Sequence, residues 1–177
     1  MSKHVSLLLL AACPATDAWA ETGGLKLAPV WSDNVVIQRD AAIVVEGTSK
    51  PAAEIRVSLA GTAATSAADA NGKWKIELPA MAASGPHTLK VSDNQNETLA
   101  INNVMLGDVW LCSGQSNMEL PVSRALDFEG EISRADDPMI RLLTVPKAAL
   151  TAPAFDFAEP AQWQKARELP TSGKTNS

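Results

Sequence analysis

NGKWKIEL, residues 71–78, opens on a turn signal and then alternates strictly. Trp74, Ile76 and Leu78 take one side, and Lys73, Lys75 and Glu77 take the other. Successive side chains of a strand point to opposite faces, so this pattern buries one face and leaves the other in water. Asn71-Gly72 is the strongest short turn signal in the chain. The same period recurs on both sides of it. Ile55, Val57 and Leu59 alternate with Glu54, Arg56 and Ser58, and His87, Leu89 and Val91 alternate with Thr88 and Lys90. Residues 35–38 and 43–46 supply two more short strands joined at Arg39-Asp40. Gly85-Pro86 and Ser92-Asp93-Asn94 mark further turns. Five to seven short strands within residues 25–105 predict an antiparallel β-sandwich. A segment of about 80 residues can bury a usable core.

Composition bounds what such a chain does. Its 177 residues allow one domain, or one and a half, and 46% hydrophobic with 20% charged residues is ordinary for a globular protein. The net charge of −5, from 15 Lys+Arg against 20 Asp+Glu, carries no electrostatic footprint for nucleic acid. No apolar run approaches the roughly 20 residues of a transmembrane helix. Two cysteines, Cys13 and Cys112, cannot build a disulfide scaffold or a cysteine-rich zinc site. The two histidines are His4 and His87, and His87 falls on a strand as an inward or rim residue. Trp31 and Trp74 suggest a sugar-stacking platform, but Trp74 shares its face with Ile76 and Leu78 and belongs to the core. Asn96-Glu97-Thr98 matches the glycosylation acceptor pattern, which chance explains better.

Residues 1–20 read as an address. Lys3 precedes an apolar run over residues 5–12, Pro14 breaks it, and Ala18-Trp19-Ala20 offers small residues around one spacer. This is the layout of a signal peptide cleaved after Ala20. Leu10-Ala11-Ala12-Cys13 also resembles a bacterial lipoprotein processing site, which would anchor the chain through a lipid on Cys13. Simple secretion is favoured, and either route exports the chain to the periplasm or the medium. Cleavage leaves Cys112 as the remaining cysteine, so no intrachain disulfide follows.

The period changes after residue 105. DVWLC, residues 108–112, is an apolar run of the kind expected in a strand buried on both faces. Ser113 to Asn117 breaks it. Val122, Ala125, Leu126, Phe128 and Ile132 then fit one face of a helix over residues 118–134, with Pro121 in its first turn. MIRLLTV, residues 139–145, reads as a further strand. Strand, turn, helix and strand open an α/β layer. A serine on such a turn has a chemical use. Gly114 lets the backbone bend, the helix start presents unpaired N–H groups, and Ser116 would stand at the strand's carboxyl end with its own N–H near a developing oxyanion. Gly-X-Ser alone is a weak signal, and Met118 stands where the nucleophile elbow of α/β-hydrolases has its second glycine. A helix cap at Ser116 or Asn117 is the plain alternative.

The longer block GDVWLCSGQSNME, residues 107–119, is far more specific. It resembles the first block of the sialate O-acetylesterase family, carbohydrate esterases of the SGNH-hydrolase superfamily. Residues 33–40 resemble the family's early segment ending in Leu-Gln-Arg, here Ile37-Gln38-Arg39. Gly72-Lys73-Trp74, Leu78-Pro79, residues 85–89 and Arg141-Leu142-Leu143 also fit, so the likeness spans about residues 25–163. The resemblance implies a β-sandwich over 25–105 and the first strand–helix–strand of an SGNH-like α/β domain over 106–163. It implies Ser116 as the nucleophile of an acyl-enzyme mechanism on acetylated carbohydrate such as O-acetylated sialic acid. Gly114, Gln115 and Asn117 match the motif around it. No cofactor and no metal are implied.

The chain also departs from the family pattern. The family's later blocks supply further oxyanion donors and an Asp-X-X-His motif, and no histidine follows Ser116 here. A serine hydroxyl is a poor nucleophile without a base. The expectation is therefore an incomplete α/β domain in a truncated copy, inactive alone, with residues 120–177 less firmly ordered and 164–177 a disordered tail. The alternative is a non-catalytic exported β-sandwich that binds carbohydrate or protein. Asp127, Glu129, Glu131, Asp136 and Asp137 have no histidine among them and read as a solvated face rather than a metal or glycosidase site.

Overall fold

The alternation at 73–78 becomes a strand with the expected faces: Trp74, Ile76 and Leu78 are buried while Lys73, Lys75 and Glu77 are exposed. The computed structural model describes residues 24–114, 120–121, 124, 126–130, 137–147, 157 and 161–166. In chain order the strands are β1 Lys26–Leu27, β2 Val36–Gln38, β3 Ile43–Thr48, β4 Glu54–Leu59, β5 Thr62–Ala67, β6 Lys73–Leu78, β7 Ser84–Asp93, β8 Thr98–Gly107, β9 Arg141–Leu142 and β10 Gln164–Lys165. The described residues are thus mostly strand with almost no helix. Of the helix expected over 118–134, residues 128–130 are helical, 120–121 and 126–127 are not, and 118–119, 122–123, 125 and 131–134 lie outside the described residues.

Three sheets form. One has the order β1-β3-β6, a second β2-β8-β7-β4-β5, and β9 pairs with β10 alone. Side chains of the first two meet in one core. Ile43 and Val45 from β3, with Trp74, Ile76 and Leu78 from β6, join Ile55, Val57 and Leu59 from β4, Leu89 and Val91 from β7, and Val104 and Leu106 from β8. Register keeps like with like: Val45 lies opposite Ile76, and Val57 opposite Val91. Each fully buried side chain of this size contributes roughly 1.5–3 kcal/mol by leaving water. Gly47 sits where β3 is tightest, since a Cβ there would lie 2.0 Å from the Lys26 carbonyl oxygen and 2.7 Å from the Trp74 ring.

The turns are made by chemistry that the sequence shows only in part. Leu59 pairs with Thr62, which leaves Ala60 and Gly61 as a two-residue loop with φ of 49° and 84°. Positive φ at both central residues marks the hairpin turn that suits the twist of the flanking strands. Asn71-Gly72 does lie in a turn, with Gly72 at φ 77°. Its organiser is Asp69, whose Oδ1 accepts the N–H groups of Asn71 and Lys73, both at 2.8 Å. Asp93 builds the β7–β8 turn the same way, accepting from Gln95 and Glu97 at 2.9 Å.

Several expectations are corrected. The sheets are not purely antiparallel, because β2 runs parallel to β8 with Val36 opposite Met105 and Gln38 opposite Gly107. Gly85-Pro86 is not a turn but lies within β7, at a register shift against β8, with a cis peptide bond between the two. A second shift follows between His87 and Leu89, opposite Asn103 at φ 55°. An extra residue bends a strand locally, and these two irregularities curl the sheet next to its β2 edge. Residues 108–112 are not a buried strand: they carry no regular structure, and Val109, Trp110 and Leu111 are exposed. Within 139–145 only Arg141–Leu142 is strand. The disordered tail expected over 164–177 is corrected at its start, where Gln164–Lys165 forms β10, and residues 167–177 lie outside the described residues.

The segment around β10 is fixed to the larger sheets through Trp163. Its indole N–H donates to the Val30 carbonyl at 3.1 Å, its backbone N–H donates to Ser32 Oγ at 3.1 Å, and Asn34 Nδ2 donates to its carbonyl at 3.4 Å. The Ala166 N–H donates to the Ile140 carbonyl at 3.1 Å and extends the β9–β10 pairing by one bond.

Candidate functional site

β8 carries the chain toward the serine-bearing block. Its last residues, Val104, Met105 and Leu106, are buried, so the strand's course up to Gly107 is set by the core. From Asp108 on the burial ends, and Cys112, Ser113 and Gly114 are all exposed. Gln115, Ser116 and Asn117 lie outside the described residues, as do the 1–20 segment and Cys13. Of the residues expected at the site, Gly114 is therefore the one that the structure places. It is exposed and is the last residue described before Leu120.

A polar cluster brackets the point where the ladder stops. The Arg39 N–H donates to the Gly107 carbonyl at 2.9 Å, one residue beyond the pairing of Gln38 with Gly107. The Arg39 guanidinium then reaches Asp108 with both arms, Nε to Oδ1 at 2.8 Å and Nη2 to Oδ2 at 3.4 Å, and gives Nη1 to Asp40 Oδ2 at 3.0 Å. Gln38 completes the arrangement, with its Oε1 accepting the Val109 N–H at 2.9 Å. The hydrogen bond and charge of Asp108, then the charge of Asp40, push the Arg39 guanidinium above its ordinary pKa, so it stays cationic at any pH of interest. Two blocks 69 residues apart, Gln38-Arg39 and Gly107-Asp108-Val109, are thus joined by side-chain and backbone bonds. Residue pattern alone could not show this pairing, because nothing local to Arg39 points to Asp108 as its partner.

Other candidate groups stand elsewhere. His87 lies on β7, half-buried, with Nε2 2.9 Å from Ser84 Oγ. Ser84 Oγ also donates to the Ala82 carbonyl at 3.3 Å. Both groups lie on β7, and which of them donates follows the imidazole tautomer. Ser84 is opposite Leu106, so the pair flanks the end of β8. Asp127 and Glu129 are exposed, Asp137 is half-buried with its Oδ1 accepting the Met139 N–H at 2.7 Å, and Glu131 and Asp136 lie outside the described residues. Among the described residues no group of three or more His, Cys, Asp or Glu could hold a metal ion, and no helix is long and apolar enough to cross a membrane.

Comparison with known proteins points one way. No family model matches the chain. The sialate O-acetylesterases of Pongo abelii and Homo sapiens are each 30% identical to it over 162 residues, covering 83% of this chain and 31% of theirs. That of Rattus norvegicus is 27% identical over 164 residues. The chain therefore spans about a third of the length of the curated relatives it matches. Among solved structures, a carbohydrate acetylesterase from Xanthomonas citri superposes with a TM-score of 0.76 at 39% identity, over 80% of this chain and 32% of that one. On these matches the chain is sialate O-acetylesterase-like over four fifths of its length.

Proposed function

We propose that this chain carries the nucleophile-bearing part of a carbohydrate acetylesterase that removes O-acetyl groups from sugars. In this reading residues 25–105 are its β-sandwich, and residues 106–163 begin an SGNH-like α/β domain. Residues 1–20 direct export to the periplasm or the medium. The observation that carries it is the block GDVWLCSGQSNME, residues 107–119, in a chain 39% identical to a solved carbohydrate acetylesterase.

The chemistry follows from the residue types. Ser116 Oγ attacks the acetyl carbonyl carbon while a base takes its proton. The carbonyl oxygen becomes an oxyanion, which the Ser116 N–H helps to hold. The C–O bond to the sugar breaks, and the sugar leaves with a proton as the free alcohol. Water then hydrolyses the acetyl-serine to acetate. Gly114 gives the turn its bend, and Gln115 and Asn117 shape it or touch the sugar. These 177 residues contain His4, within the export segment, and His87, hydrogen-bonded to Ser84 on β7. The base therefore comes from chain outside them, and these residues alone do not turn over ester.

The test is a chimera in which this chain replaces the matching third of the Xanthomonas citri enzyme. Hydrolysis of an aryl acetate and of an O-acetylated sugar is expected. Ser116→Ala should lower it by roughly a thousandfold or more. Turnover that survives Ser116→Ala, or a folded chimera without any, would refute the assignment.

A further inference from the structure

We infer that Gln38 and Arg39 are positioning residues that fix the direction in which the chain leaves β8 toward Ser116. The inference rests on the reading of Ser116 given above only for its purpose; the clamp itself is geometry. The two chain segments separate at this point. Past Gln38 the β2 side turns away, with Asp40 at φ 57° and its N–H given to the Met81 carbonyl at 2.8 Å. Past Gly107 the other side continues toward the serine with no core beneath it, since residues 108–114 are exposed.

What steers that stretch among the described bonds is the pair of residues ending β2. Arg39 holds both oxygens of Asp108, which fixes the plane of that carboxylate as a single ammonium would not. Gln38 holds the next N–H, that of Val109, at 2.9 Å. Two successive residues are thus tethered from two directions. A purely stabilising role is a poor account of this placement. The Arg39 and Asp108 side chains are 41% and 55% exposed, and exposed ion pairs add little to global stability. Their position at the fork is what gives them effect, because they set where Asp108 and Val109 leave the end of β8.

The experiment uses the full chain with Cys13→Ser, one nitroxide on Cys112 and a second on Thr65→Cys at the far edge strand. Distances are read by pulsed electron spin resonance. The parent should give one narrow distance peak. Gln38→Ala and Arg39→Ala should each lose it to a broad distribution, with thermal unfolding unchanged, and Arg39→Lys should recover part of it. A single narrow peak in both alanine variants would overturn the inference. In the acetylesterase chimera, Arg39→Ala should lower kcat by roughly tenfold to a hundredfold with KM little changed. An unchanged kcat there would also overturn it. A chimera with no Ser116-dependent turnover would sink the reading of the site instead, and the distances alone would then decide the clamp.

Discussion

Trp74 and Trp110 are the same residue type in two regions governed by different rules. Trp74 is 3% exposed, the second residue of β6, in the core shared by two sheets. Trp110 is 84% exposed, three residues past the end of β8. Around Trp74 every apolar side chain alternates with a polar one, so a single layer of partners suffices to cover it. Around Trp110 the apolar residues are consecutive, Val109, Trp110 and Leu111, and a strand of that kind needs cover on both faces. The described residues do not provide it. Alternating segments bury their apolar face within residues 26–107, whereas the consecutive run is exposed and forms no strand among the described residues. Burial is thus decided by periodicity together with the amount of chain available to cover it.

Substituting the two tryptophans alike breaks this comparison most sharply. Trp74→Ala should lower stability by about 3–5 kcal/mol, the range for losing a buried aromatic side chain, read as a fall in the urea midpoint at unchanged slope. A loss under about 1 kcal/mol would mean that the two sheets do not share a core.

That core was the most legible part of the fold. Ile55, Val57, Leu59, Trp74, Ile76, Leu78, Leu89 and Val91 are all buried, as the period of two requires. What was not legible depends on partners far away in sequence. Nothing within residues 35–38 announces a parallel partner, since parallel and antiparallel strands of this length have the same side-chain pattern. Ala60-Gly61 lacks the Asn or Asp that usually flags a two-residue hairpin loop, yet takes the required positive φ. Gly85-Pro86 resembles a turn, but β7 continues through it with a bulge and a local bend. At the candidate site Gly114 is the one expected residue that is described, and the Arg39–Asp108 contact near the start of its block was not legible. Two oppositely charged residues 69 positions apart carry no mutual signal until β2 is laid beside β8.

Gly47→Ala probes the first region at its tightest point. The new methyl must displace either the Lys26 carbonyl or the Trp74 ring. Overpacking of this kind costs typically 1–3 kcal/mol. The expected result is a lower melting temperature with β1 exchanging its amides faster than β4. Uniform exchange across both strands would show that the close approach relaxes without freeing β1.

Trp163→Phe tests how firmly the outlying segment is joined to the sheets. The ring's apolar body stays, and the bond from Nε1 to the Val30 carbonyl goes. A typical intramolecular hydrogen bond contributes about 0.5–1.5 kcal/mol net, and the loss should appear first as faster amide exchange at residues 161–166. If exchange there is unchanged, Ser32 and Asn34 hold the backbone of Trp163 unaided.

The smallest effect is the most discriminating. Trp110→Ala in these 177 residues should change stability by less than about 0.5 kcal/mol, as for a surface position, although it removes as large a side chain as Trp74→Ala does. In the chimera with the Xanthomonas citri enzyme the same change should cost several-fold more, on the proposal that an α/β domain there would cover the run. The difference arises because transfer out of water contributes only where cover exists, and the substitution itself is identical in both settings. Equal, near-zero effects in both proteins would show that the run stays exposed in the longer chain as well. Equal, large effects would show that residues 109–111 are already covered here.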